Sequence, residues 1–420
     1  MDFKGIIKEQ REELQGIEER ENIVQREGIE KARGALKHPN VLAILGVRRC
    51  GKSIFSYLLA KKHKLGYINF DDERLAGLKT EDLNKILESF YGLYDDIDYI
   101  ILDEIQNIDS WELFVNRLRR TKKIILTGSN SNLLSGELAT HLTGRYIDFR
   151  LFPFSFREFL KIKNFDEDKS YTTKEKANLL KLLLEYLEIG GFPEAYKFGK
   201  TILFRIYEDI LTKDIILRHG INKIDEIKKL TRYLITNSSG EITYTKLKKI
   251  FNIKHVSTIS NWISHLENSF LLFKLEKFSF KLKQQFIAPK KIYCIDPGII
   301  NLIGFKFSEN KGKIMENTVF LNLQRMKSID KLLEVYYWKN YQQNEVDFVL
   351  KKNNKIHQLI QVSYINHKED IKERETNSLL KAGEELKCNN FAIITWDYEN
   401  EEKIKNKTIK FIPLWKWLLL

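Results

Sequence analysis

The sequence predicts an α/β protein of several domains, and three observations carry that expectation. The strand-length apolar run Val41-Leu42-Ala43-Ile44-Leu45 leads into Gly46-Val47-Arg48-Arg49-Cys50-Gly51-Lys52-Ser53 and then into a helical stretch from Ile54 to Lys64. Two more runs of the same kind follow. Tyr99-Ile100-Ile101-Leu102 ends in Asp103-Glu104, and Lys123-Ile124-Ile125-Leu126-Thr127 ends in Gly128-Ser129-Asn130-Ser131. Beyond residue 290 the alternation of strand-like and helical runs returns. Such alternation implies sheets with helices packed on their faces.

Composition bounds the answer. A chain of 420 residues holds roughly three domains at ~150 residues each. With 43% hydrophobic and 12% aromatic residues it can build real cores, which excludes a disordered chain. The apolar stretch 411–420 is interrupted by Lys416 and falls short of the ~20 residues a span requires, so no membrane association is expected. The start Met1-Asp2-Phe3-Lys4 shows no secretory pattern, and Cys50, Cys294 and Cys388 lie far apart. Both point to a reducing, cytoplasmic setting. Seventy basic against fifty-seven acidic residues leave +13. That excess fits a polyanionic partner or simply a Lys-rich surface.

Along the chain, residues 6–37 read as one helix, stopped by Pro39, with Arg11 to Arg26 as a solvated face. Strand, G-x-x-x-x-G-K-S and helix in succession make a phosphate-binding loop. Gly46 and Gly51 let the backbone curl. The N–H groups of Gly46, Val47, Arg48, Arg49, Cys50, Gly51, Lys52, Ser53 and Ile54 can then cradle phosphates beside the partial charge of a helix N-terminus. Lys52 can reach the β- and γ-phosphates and the Ser53 hydroxyl can hold Mg²⁺, so ATP and Mg²⁺ are the expected ligands. Residues 67–70, followed by Asp71-Asp72, read as another strand. Asp103 at its strand end is expected in the Mg²⁺ shell, and Glu104 to orient or deprotonate the attacking water. Asn130 is expected as a γ-phosphate sensor, with helix capping as the alternative. The Arg145 guanidinium suits developing γ-phosphate charge, within the chain or across a subunit boundary; a surface salt bridge explains it equally.

These strings, with Leu142-Thr143-Gly144-Arg145 and Phe152-Pro153-Phe154-Ser155-Phe156-Arg157-Glu158-Phe159, resemble the prokaryotic, often archaeal, AAA-type ATPases with a C-terminal PD-(D/E)XK nuclease-type domain. The resemblance runs over nearly the whole chain. It implies ATP binding and hydrolysis, and makes Gly190-Gly191-Phe192-Pro193-Glu194-Ala195 a lid segment. The expected division is an AAA-type P-loop domain over 1–160, a helical lid over 161–224, a winged helix-turn-helix over 225–288 and a restriction-endonuclease-like α/β domain over 289–420.

In the middle, residues 227–236, 244–251 and 257–268 read as short helices. Residues 270–275 and 278–280 read as a hairpin, which completes the winged-helix pattern. The third helix buries Ile259, Trp262, Ile263 and Leu266, and would present Ser257, Thr258, Ser260, Asn261, Ser264 and His265 to DNA. Lys246, Lys248, Lys249, Lys254, Lys281 and Lys283 supply basic groups. No Arg lies on that helix, and a docking or lid role remains the alternative. At the C-terminal end, residues 314–320 begin a helix, and 333–338, 345–350, 357–363 and 391–395 read as strands. Glu316 and Asp347 match the helix and strand acids of the PD-(D/E)XK pattern, but the acid-x-Lys element reads Gln361-Val362-Ser363. A degenerate metal site of Glu316, Asp347 and Gln361 is therefore expected, with Lys368 as a conceivable substitute for the missing lysine. The expected protein is a Mg²⁺-dependent AAA-type ATPase, a homo-oligomer associated with double-stranded DNA. Its alternatives are an ATP-gated metal-dependent nuclease and a slow nucleotide switch that binds a protein.

Overall fold

The computed structural model describes residues 1–20, 23–134, 142–167, 171–305 and 311–420. The chain forms two compact units, Met1–Pro153 with Asn268–Phe270, and Phe154–Glu267 with Leu271–Leu420.

In the first unit the order is α1 (Phe3–Arg20), α2 (Ile29–Ala35), β1 (Val41–Leu45), α3 (Lys52–Ala60), β2 (Leu65–Asn69), α4 (Leu83–Tyr94), β3 (Tyr99–Asp103), α5 (Trp111–Leu118), β4 (Lys123–Gly128) and β5 (Tyr146–Arg150). The sheet runs β2-β3-β4-β1-β5 and is parallel throughout. β1 is buried along its whole length, as a central parallel strand with helices on both faces must be, which is why it reads as an unbroken apolar run. β4 lies between β1 and β3, so the loops after these three strands open side by side at the sheet's carboxyl edge.

The single helix expected over 6–37 is instead two. α1 ends at Arg20 and α2 starts after Gly28, whose φ is 78°; residues 21–22 lie outside the described ones. The break has a polar cause. Arg26, read from sequence as part of a solvated face, is buried, its guanidinium donating to the carbonyls of Cys50 at 2.9 Å and Phe152 at 2.5 Å. A continuous helix would not aim it there.

The second unit holds α6 (Phe156–Ile162), α7 (Thr173–Ile189), α8 (Pro193–Phe198), α9 (Ile202–Asp209), the π-helical Ile210–Leu217, α10 (Ile224–Thr236), β6 (Glu241–Ile242), α11 (Tyr244–Ile250), α12 (Val256–Asn268), β7 (Leu272–Leu275), α13 (Leu282–Ile287), β8 (Lys290–Cys294) and α14 (Pro297–Ile303). Then follow α15 (Lys311–Ile329), β9 (Leu333–Lys339), β10 (Glu345–Lys352), β11 (Lys355–Val362), α16 (Glu373–Leu386), β12 (Phe391–Thr395), β13 (Asn400–Ile404), β14 (Lys407–Pro413) and α17 (Leu414–Leu418). The large sheet runs β13-β14-β12-β11-β10-β9, parallel through β11-β12-β14 and antiparallel elsewhere. Its two faces bury separate cores: Phe348, Leu350, Ile360, Ala392 and Ile394 face one side with Phe320, and Val349, Leu359, Phe391 and Ile393 the other with Leu379. The period of two along each strand sends successive residues to opposite cores. β13, β14 and α16 were not anticipated from the sequence.

A second sheet runs β6-β8-β7. Here the expected hairpin is corrected. β7 pairs antiparallel with β8, not with residues 278–280. Phe278 N donates to the Tyr337 carbonyl at 2.6 Å, so that segment leaves the small sheet and follows β9. The GGFPEA segment is pinned through Asp296, whose Oδ2 accepts from Gly191 N at 2.6 Å while Oδ1 caps α14 at Ile299 N. Burial pushes that carboxyl up to about 7 against these backbone donors.

Candidate functional site

The loop from Gly46 to Gly51 leaves the carboxyl end of β1 and enters α3 at Lys52. A Cβ on Gly46 would lie 2.1 Å from the Leu151 carbonyl oxygen, so the chain passes there only without a side chain. Gly51 takes φ 95° and Arg49 φ 63°, left-handed backbone that curls the loop. Arg48 pairs with Asp71 at 2.8 Å. Cys50 is wholly buried, its thiol donating to the Leu151 carbonyl and raised above its ordinary pKa chiefly by that burial, which keeps it inert.

The Lys52 ammonium is buried between the Val47 carbonyl at 3.3 Å and Glu104 Oε1 at 3.1 Å. Burial alone would lower its pKa, but the Glu104 carboxylate, with Cys50 and Asp103, holds it above the ordinary value. Burial, the largest single influence, works against the Glu104 carboxylate, but the Lys52 and Arg48 charges and the Gln106 hydrogen bond together outweigh it and bring that pKa down to about 2. Gln106 Nε2 and the Ser129 amide, the latter at 3.1 Å, also donate to Glu104 Oε2. Asp103 is fully buried, and its pKa is raised by that burial and by the neighbouring Glu104 charge. Its partners are hydroxyls: Tyr67 at 2.7 Å, Thr127 and Ser53. Thr127 donates to Asp103 and accepts from Glu104 N at 3.0 Å, so one hydroxyl fixes both acids. Ser53 and Asp103 thus bring hard oxygen donors together beside the loop, a set that fits Mg²⁺. Tyr67, Thr127, Gln106 and Arg26 were missed from the sequence, because an isolated hydroxyl, amide or arginine carries no spacing signal.

Asn130 is buried just past β4, next to Ser129. Arg145 is elsewhere. β5 runs parallel to β1 with Tyr146 opposite Val41, and Val41 N donates to the Arg145 carbonyl at 2.9 Å. Arg145 therefore lies at the amino edge of the sheet, while the phosphate loop follows the carboxyl end of β1, a five-residue strand or roughly 16 Å away. Its exposed guanidinium donates to Asn116 Oδ1 at 3.1 Å. This placement sets the guanidinium apart from the phosphate loop of its own chain.

In the second unit, Glu316 and Asp347 do meet, around a residue the sequence reading did not consider. Lys291 Nζ, from β8, lies 3.0 Å from Glu316 Oε1, 2.9 Å from Asp347 Oδ1 and 2.7 Å from Glu345 Oε1. Tyr293 OH donates to Glu316 Oε1 at 2.7 Å, Val362 N to Asp347 Oδ2 at 3.0 Å and Asp347 N to Gln361 Oε1 at 3.3 Å. Glu316 Oε1, both Asp347 oxygens and Gln361 Oε1, which were expected to hold a divalent ion, are engaged by these donors, and among the described residues no three His, Cys, Asp or Glu side chains are grouped to hold one. The expected metal set of Glu316, Asp347 and Gln361 does not fit a metal as it stands. Lys368 is exposed and pairs with Glu402 at 3.4 Å, far from the role of substitute. His265, expected to face DNA, stacks on His219 with centroids 3.7 Å apart.

Residues 38–160 match the AAA domain family, 180–309 a domain of unknown function (DUF8612) and 311–417 another (DUF4143). Over 401 residues, 91% of this chain and 89% of the relative, the sequence is 40% identical to the uncharacterized protein MJ1544 of Methanocaldococcus jannaschii. The chain belongs to the MJ1544 family. The family extends to an uncharacterized protein of Haemophilus influenzae, 31% identical over 404 residues, 90% of this chain and 94% of that one. Among solved structures, the Walker-type ATPase PABY2304 of Pyrococcus abyssi aligns with a TM-score of 0.45 at 15% identity, over 68% of this chain and 97% of that one. The first unit is an AAA-type P-loop ATPase domain, with the parallel sheet that class requires. Among the described residues no helix is long and apolar enough to cross a membrane.

Proposed function

We propose that the protein hydrolyses ATP with Mg²⁺ and uses the nucleotide state to control DNA-binding and nuclease-like modules in its own chain. The observation that carries this reading is the convergence of Lys52, Ser53, Asp103 and Glu104 at one sheet edge, with Glu104 already in ion-pair contact with Lys52 at 3.1 Å. Lys52 and the loop amides bind and orient the phosphates. Ser53 and Asp103 would hold Mg²⁺, which supplies charge neutralisation at the β- and γ-oxygens. A γ-phosphate competes with Glu104 for the Lys52 ammonium, and a Glu104 released from that pair can accept the proton of the attacking water. Asn130 and Ser129, beside Glu104, suit a sensor of the γ-phosphate. Arg145 serves only a neighbouring subunit, which makes a homo-oligomer part of the proposal.

DNA association draws support from the order α10, β6, α11, α12, β7, β8 and the sheet order β6-β8-β7, the connectivity a winged helix needs. Ser257 and Asn261 on α12 and Lys246, Lys249 and Lys254 are exposed. The proposed division remains 1–160, 161–224, 225–288 and 289–420, the last restriction-endonuclease-like through its α15-β9-β10-β11 frame. An ATP-gated nuclease is disfavoured by the engaged oxygens around Lys291. The test is steady-state ATP hydrolysis with Mg²⁺, with and without duplex DNA, beside Lys52→Ala. Turnover that survives Lys52→Ala would sink the reading, and a rate indifferent to DNA would remove the DNA arm.

A further inference from the structure

The cluster around Lys291 has the wrong charge pattern for a surface ion pair. Lys291 is 2% exposed and Asp347 5%. A lysine so deeply buried is normally avoided, because stripping water from an ammonium is strongly unfavourable unless opposite charges offset it. Here three carboxylates on two elements do: Glu316 from α15, Glu345 and Asp347 from β10, all within 3.0 Å of one nitrogen. Glu345 also takes Lys339, at 3.2 Å, and Lys339 reaches Glu241 in β6 at 2.9 Å. Backbone bonds run along the same seam: Phe278 N to the Tyr337 carbonyl and Tyr337 N to the Glu276 carbonyl, with Tyr337 OH on the Pro289 carbonyl. The ammonium thus comes from the three-stranded sheet, and two of the acids come from the six-stranded one.

We propose that Lys291 is a built-in cation standing where a divalent ion would bridge Glu316 and Asp347, and that it locks β8 of the small sheet onto the α15–β10 frame. An ammonium offers three donors and one charge, which meets the Oε1 of Glu316, the Oε1 of Glu345 and the Oδ1 of Asp347. All three ammonium donors are then spent on the carboxylates, and the ammonium nitrogen occupies the point on which Glu316, Glu345 and Asp347 converge. The site is a closed joint between two modules, and it opens to metal only when Lys291 is removed. The comparison with a bridging divalent ion rests on the nuclease-like reading; the joint itself does not.

The test uses the full chain carrying Asp103→Asn, which silences the cation site of the ATPase domain, titrated with Mn²⁺ alone and followed by EPR. With Lys291 present, no bound Mn²⁺ is expected and the Tm does not move. With Lys291→Met added, one Mn²⁺ per chain is expected, with an upward Tm shift, and both are lost on adding Asp347→Asn. If Lys291→Met does not fold in EDTA, recovery of the fold by Mn²⁺ is the readout. Mn²⁺ bound in the presence of Lys291 and lost in Asp347→Asn would overturn the inference while leaving the nuclease-like reading intact. So would a Lys291→Met chain that binds no Mn²⁺, or one that Mn²⁺ does not rescue.

Discussion

Glu104 takes φ 52° and ψ 43°, left-handed backbone that a residue with a Cβ seldom adopts. Such strain, of order 1–3 kcal/mol, persists where surrounding bonds hold it, as the Thr127 hydroxyl and Ser129 amide do here. Glu104→Gln keeps the side-chain shape but removes the proposed base. It should retain nucleotide binding and lose about 10²- to 10⁴-fold in turnover, measured by single-turnover hydrolysis beside equilibrium binding. Turnover within tenfold of wild type, on the order of 1.4 kcal/mol, would take Glu104 out of that role. Lys52→Ala removes the ammonium and leaves Glu104 buried without its partner, so loss of ATP binding is expected in a titration with a fluorescent nucleotide. At Arg26, replacement by Ala removes the guanidinium that donates to the Cys50 and Phe152 carbonyls. A loss of about 1–3 kcal/mol in urea unfolding is expected. Unchanged stability would show that Arg26 does not tie down the loop.

At the scale of elements, local pattern located nine of the fourteen described strands, because short apolar runs between turns admit few other readings, and it passed over β5, β6, β8, β13 and β14, whose runs are short or interrupted by charge. It failed where a partner distant in sequence decides the outcome. Residues 278–280 have strand composition, yet β8 offers β7 a better-matched edge and Tyr337 takes Phe278. α12 lay in the sequence with its apolar face correctly assigned, but His265 is drawn to His219, which no periodicity reveals. Burial, with help from His265 and Arg218, lowers the His219 pKa from 6.5 to about 4. The unfolded imidazole takes up its proton near its ordinary value and the folded one only well below it. Stability is therefore full above about pH 6.5 and falls as the pH drops toward 4. Thermal unfolding from pH 7 to pH 5 should show a smaller decline in His219→Gln than in wild type. An equal decline would assign the acid sensitivity to other groups.

For the whole molecule, the proposals concern coupling. If the modules of the second unit bind DNA through phosphates, DNA should stimulate ATP turnover, and the stimulation should fade as salt rises. Charge reversal at Lys246 and Lys249 should weaken it without touching the basal rate. A stimulation insensitive to both would argue for a partner other than nucleic acid. If Arg145 serves a neighbour, Arg145→Ala and Lys52→Ala chains, each inactive alone, should recover part of the activity when mixed, since mixed assemblies contain intact junctions. Absence of recovery, with assembly shown by sedimentation, would remove Arg145 from the mechanism.

The sequence by itself determined the phosphate loop, the Asp103-Glu104 strand end and the order of α/β segments, because each rests on neighbouring residues and on burial patterns of period two or 3.6. Tertiary structure alone decided the rest. Strand order put β4 between β1 and β3, and the parallel register of β5 on β1 set Arg145 at the edge opposite the loop of residues 46–51. The break after α1 aimed Arg26 at the loop. The pairing of β8 carried Lys291 in among Glu316, Glu345 and Asp347, dozens of residues away in the chain in the case of the last two. A carboxylate in a sequence announces its charge, but whether a metal, a hydroxyl or a lysine meets it depends on which strand the fold lays beside it.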